Sequence, residues 1–137
     1  ILQLVCRGEI KMMETVGHYV YFVQMCVAGS DGELEHEEVQ AVCDRAIALN
    51  VIGMITGMPG GGDEVRKVEE AENYYHTCPN LAMAFAEAIG GIAASVDYDR
   101  EILSDFYNAM LEVAAADGEI EPGERELLDF ARNQWGV

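Results

Sequence analysis

Two stretches of this chain are near copies of one another, set 86 positions apart: AGSDGELEHEE from Ala28 to Glu38 and AAADGEIEPGE from Ala114 to Glu124. They share Ala28/Ala114, Asp31/Asp117, Gly32/Gly118, Glu33/Glu119, Glu35/Glu121 and Glu38/Glu124, and Leu34 stands opposite Ile120. Self-similarity at a fixed offset constrains a fold more than any single motif does. An apolar run precedes each copy and another follows it. The chain is therefore expected to hold two helix-loop-helix units, each carrying a small cluster of carboxylates.

The flanking periodicity supports helices. Ile10, Met13, Val16 or Gly17, Val20, Val23 and Val27 recur every three to four residues, which predicts a long amphipathic helix over residues 9–28. The small residues Ala28, Gly29 and Ser30 at its end would let another helix come close, and Asp31-Gly32 ends it. Leu34 is then expected to plug into the core. Pro122 marks the first position of the last helix, where its missing N–H costs nothing, so Glu121 becomes the N-cap and Glu124 falls at N3. By the offset Glu35 and Glu38 take the same two places, and an N3 glutamate is the residue that reaches back in a capping box. Glu is not a favoured N-cap residue, which hints at another use for Glu35 and Glu121.

Between the copies the pattern predicts a helix from His36 to about Leu49, a Gly-rich connector over 50–62, a short acidic helix from Asp63 to Tyr75, and a break at Pro79. An Ala-rich helix from Asn80 to about Val96 is expected to lie buried among the others. Asp97 or Asp99 caps the next helix, which leads to Val113, and the last helix runs from Pro122 to about Trp135. No stretch shows strand alternation. The expectation is an all-α, single-domain helical bundle of two pseudo-repeated halves, about 12–49 and 98–135.

At 137 residues the chain can bury one core without disulfides. It is 50% hydrophobic yet carries a formal net charge of −17, so the acid must coat a folded body rather than form a disordered tail. Such a surface repels phosphate backbones and anionic lipid, leaving cations and basic proteins as partners. No nucleic acid and no direct membrane insertion are expected, since no apolar run reaches the roughly 18 residues of a span. Cys6, Cys26, Cys43 and Cys78 are widely spaced with no C-x-x-C pair, as expected of buried thiols in a reducing, cytoplasmic compartment. Ile rather than Met stands at position 1, as in a chain that begins inside a longer protein.

Asp-Gly-x-apolar-x-x-x-Glu has the spacing of the second half of an EF-hand calcium loop: turn, apolar plug and closing Glu. The opening ligands are missing, because the corresponding positions are Val27 and Gly29 in one copy and Val113 and Ala115 in the other. Each corner thus offers three carboxylates, Asp31, Glu35 and Glu38 or Asp117, Glu121 and Glu124. Hard oxygen donors suit Ca²⁺ or Mg²⁺ better than zinc or copper. The alternative is that the aspartates serve the turns and the glutamates complement the helix dipoles. If the two corners pack together, their carboxylates repel unless a cation lies between them.

The doubled small-residue, Asp-Gly-x-Leu/Ile and Glu pattern in an acidic helical chain of this size resembles the tellurite-resistance TerB-like family, over about residues 12–135. The resemblance implies an all-α fold of two related halves, a link to tellurite resistance and stress response, and divalent-cation binding at Asp31, Glu35, Glu38, Asp117, Glu121 and Glu124. The reading that follows is of Ca²⁺ before Mg²⁺, a non-enzymatic interaction or sensing role, and partners that have basic surfaces or belong to a stress system, with a homodimer and membrane association through partners left open. The connector at 50–62 departs from the family pattern, and relatives also carry small caps where Glu35 and Glu121 stand.

Two other classes of function stay open: an acidic helical adaptor without a metal, and a metal-dependent hydrolase, for which no nucleophile or base motif is present. The run Met58-Pro59-Gly60-Gly61-Gly62-Asp63 lacks the Gly-Lys-Ser/Thr of a phosphate loop. His76 and Cys78 with His18 or His36 lack the paired spacing of zinc sites. The methionines read as core filler or linker.

Overall fold

The computed structural model describes residues 16–30, 34–48, 64–115 and 119–137. The chain is all-α: among the described residues there are six helices and no strand, α1 (Val16–Ala28), α2 (His36–Ala48), α3 (Glu64–Thr77), α4 (Leu81–Ser95), α5 (Arg100–Ala114) and α6 (Pro122–Trp135). The connector at 50–62 and the start of the first expected helix, with Ile10 and Met13, lie outside the described residues.

Helix α1 is the axis of the bundle and packs against all five others. Val20, Tyr21, Phe22, Val23, Met25 and Val27 are each at most 1% exposed, so side chains on every side of the helix are buried. This corrects the amphipathic reading. A stripe at three-to-four spacing is present, but no charged residue lies between Val16 and Ser30, and a helix apolar on all sides must be surrounded. Each large side chain buried this way contributes roughly 1.5–3 kcal/mol.

Helix α4 departs in the opposite sense. Phe85, Ala88, Ile89, Ile92 and Ala93 are buried, whereas Ala82, Met83, Ala86, Gly90 and Ala94 face outward. Its outer face is apolar in composition but made mostly of Ala and Gly, so each residue on it exposes little area. Met83, expected as filler, is 59% exposed. Helix α3 extends to Thr77 and is no peripheral element: Val68, Ala71 and Tyr75 are core residues, and even Lys67 is buried.

The ends obey local chemistry. Asn80 caps α4, its side-chain oxygen accepting from Met83 N at 3.1 Å. Asp99 rather than Asp97 caps α5, accepting from the Glu101 and Ile102 amides at 3.0 and 3.2 Å. Asp97 and Tyr98 instead take left-handed backbone, φ 54° and 56°, in the corner between α4 and α5, where Tyr98 N donates to Ala93 O at 2.8 Å and closes the end of α4. Gly136 ends α6 in the left-handed conformation, φ 69°, which costs glycine little.

The small residues after α1 serve as expected. A Cβ on Gly29 would collide with the Tyr75 hydroxyl, which donates to the Gly29 carbonyl at 3.4 Å. Leu34 and Ile120, the apolar residues of the two corners, are half-buried and pack against the core.

Candidate functional site

The two N3 glutamates occupy equivalent places. Glu35 N donates to Glu38 Oε1 at 2.8 Å, and Glu121 N donates to Glu124 Oε1 at 2.7 Å. In both corners the following turn closes on the N-cap carbonyl, with Val39 N to Glu35 O at 3.1 Å and Arg125 N to Glu121 O at 3.0 Å. Two helix starts with the same sequence grammar thus form the same back-bond, the half of a capping box that an N3 carboxylate supplies. Glu38 is half-buried and Glu124 only 5% exposed, while Glu35 and Glu121 face outward. Asp31 and Asp117 lie outside the described residues.

The corners also meet. Gly123, in the first turn of α6, lies against Ser30 at the end of α1: a Cβ added there would stand 3.3 Å from the Ser30 carbonyl oxygen and 3.4 Å from its hydroxyl. In the sequence Asp31 follows Ser30 by one residue and Glu121 precedes Gly123 by two. The Ser30 hydroxyl oxygen is buried and has no hydrogen-bond partner among the described residues.

The donors fit a hard cation in kind. Carboxylate oxygens are what Ca²⁺ and Mg²⁺ take, and no sulfur or imidazole stands in either corner except His36, which is exposed. Among the described residues no group of three or more His, Cys, Asp or Glu side chains is arranged to hold a metal ion.

The remaining candidates are placed elsewhere. His18, on α1, is buried with Nε2 2.8 Å from Glu70 Oε1, and Glu70 Oε2 accepts from Arg66 at 3.3 Å. Burial holds the His18 pKa below its ordinary 6.5 in spite of Glu70, and Lys67 and Arg66 push the same way as burial. His76 is exposed and pairs with Glu72 at 3.5 Å. Burial raises the Cys26 thiol far above its ordinary value, with Cys78 adding to the shift, and raises Cys43 too, so both are protonated thiols at neutral pH. Cys6 lies outside the described residues.

Sequence reasoning missed a cavity of about 370 Å³ beside the junction, where the starts of α4 and α6 diverge. Leu81, Phe85 and Leu127 line it together with Gly29, Ser30 and Tyr75. The sequence signal was weak: Phe130, outside the expected stripe of α6, is 37% exposed and touches Phe85 with ring centroids 6.1 Å apart.

No protein-family model, no curated protein and no solved structure matches this chain. No described helix is long and apolar enough to cross a membrane.

Proposed function

We propose that this chain is a TerB-like, non-enzymatic module that binds a divalent cation, Ca²⁺ in preference to Mg²⁺, between its two acidic corners. In this reading the two halves are a pseudo-repeat, and the shared back-bonds of Glu38 and Glu124 support it. The observation that carries the ion is the contact of Ser30 with Gly123, which joins the two corners at one place. Asp31, Glu35, Asp117 and Glu121 would supply oxygens there. Glu38 and Glu124 hold the loop backbones through Oε1 and add charge. Carboxylates gathered in this way repel one another, and a cation between them removes the repulsion. The biological setting that goes with the family resemblance is a cytoplasmic stress response linked to tellurite resistance, with basic protein partners.

The adaptor reading, acidic and metal-free, is favoured by one observation: the back-bonds of Glu38 and Glu124 give both glutamates a structural task without an ion. Thermal unfolding separates the two. An ion that binds the native state at about a hundred times its Kd stabilises by ~2.7 kcal/mol, a rise in Tm on the order of 10 °C for a domain of this size. The rise should appear with millimolar Ca²⁺ and vanish in the double variant Asp31→Ala, Asp117→Ala. No rise in the wild type leaves the adaptor.

A further inference from the structure

We propose that the opening between α4 and α6 is a docking surface for a basic, amphipathic helix of another protein. It rests on the reading of the chain as an interaction module, though not on the ion.

The geometry comes from a constant register. Trp135 Nε1 donates to Ile89 O at 2.9 Å, and Phe130 meets Phe85 one turn earlier. A further turn back, Leu127 and Glu126 stand across the cavity from Leu81 and Ala82. The two helices therefore run in the same direction, clamped at the Trp135 end and spread at their starts. The spread is a wedge of about 370 Å³, at the lower end of the roughly 300–1,000 Å³ found in small-ligand sites, and it is walled chiefly by apolar side chains.

Three features identify a helix as the occupant. Ala82, on the wall of the wedge, begins a row of exposed small residues, Ala82, Ala86, Gly90 and Ala94, spaced four apart. Such a row is the ridge that lies in the groove of a packed helix, and a Cβ at Gly90 would meet nothing within 4 Å. A partner backbone can lie along it while large apolar side chains enter the wedge, the helix-in-groove mode. The charge sets the partner's chemistry. Glu126 is the one charged side chain lining the wedge, exposed Glu87 flanks the ridge, and the whole chain carries −17. Lys or Arg beside the apolar stripe of the partner complements this rim. A second copy of this chain, equally acidic, is repelled from it.

The test uses a synthetic Leu/Ala/Lys amphipathic helix about four turns long and its sequence-scrambled counterpart, read by fluorescence anisotropy in EDTA. The amphipathic peptide should bind the full chain at least about tenfold more tightly than the scramble, and Ala82→Trp and Ala86→Arg should each weaken it by at least about tenfold. Both residues are exposed, so an unchanged Tm shows that the fold is kept. Equal binding of the scramble, or binding indifferent to both substitutions, overturns the proposal. So does a wild-type dimer that Ala82→Trp dissociates in sedimentation. Calcium calorimetry on the wild type separates the two readings: peptide binding without calcium binding overturns the ion alone, and calcium binding without peptide binding overturns the docking surface alone.

Discussion

Gly123 at the start of α6 is pressed against Ser30 at the end of α1, at a distance where an added Cβ would stand 3.3 Å from a backbone carbonyl oxygen. A carbonyl in a helix end has little room to give. Gly123→Val should therefore force the corners apart and cost about 1–3 kcal/mol by overpacking, measured by urea denaturation. Gly123→Ala should cost far less, because its helix propensity offsets the squeeze by roughly 0.5–1 kcal/mol. A wild-type midpoint for Gly123→Val would mean that the two corners do not touch in solution.

Glutamine serves the N3 place of a capping box as glutamate does. Glu124→Gln should thus stay within about 0.5 kcal/mol of wild type without ions, whereas Glu124→Ala should cost about 1–2 kcal/mol through the lost cap. The Ca²⁺-dependent rise in Tm should shrink in Glu124→Gln, since half of the side chain's oxygens and all of its charge are gone. An undiminished rise would show that the Glu124 charge does not act on the ion.

His18 makes stability depend on pH. Its folded pKa lies below the ordinary 6.5, so the unfolded chain takes up a proton first as the medium acidifies. The stability that the neutral, buried imidazole contributes is complete above about 6.5 and falls as pH drops towards the folded value. Glu70 opposes the shift, and Lys67 and Arg66 reinforce burial. Urea midpoints at pH 7.5 and 5.5 should differ more for wild type than for His18→Gln. Equal differences would place the pH sensitivity elsewhere.

Gln24 is 2% exposed in the middle of α1, and its side-chain oxygen is buried without a hydrogen-bond partner among the described residues. An orphaned polar group of this kind costs about 1–3 kcal/mol. Gln24→Met keeps the length and removes the polar atoms, so it should stabilise by ~1 kcal/mol in urea unfolding. A loss of stability would show that the amide has a partner in solution.

Local signals were legible. Pro122, Asn80 and the Asp-Gly pairs set helix ends close to those observed, and the N3 places of Glu38 and Glu124 followed from one proline and the repeat offset. Burial was read the wrong way round for α1 and α4, for a shared reason. Size and charge have to be weighed together: the stripe of α1 reads as one face although no charged residue stands on the other, and the Ala and Gly of α4 read as burial although such small residues expose little area. The long-range pairing of Trp135 with Ile89, and hence the wedge, has no local signature at all: it depends on which helices become neighbours. The junction of the corners was legible only as a condition, that an ion would need its donors from both copies.

Helix α1 leaves the ribosome first among the described helices, yet α6, which leaves last, is one of the helices that enclose it. About a hundred residues separate the two, on the order of 5–20 s of synthesis. Throughout that interval the most completely buried of the described helices has no full shelter. Nascent chains stalled before α6 should need a chaperone to stay in solution, and the bundle becomes independent of one only when the fourteen residues of α6 dock.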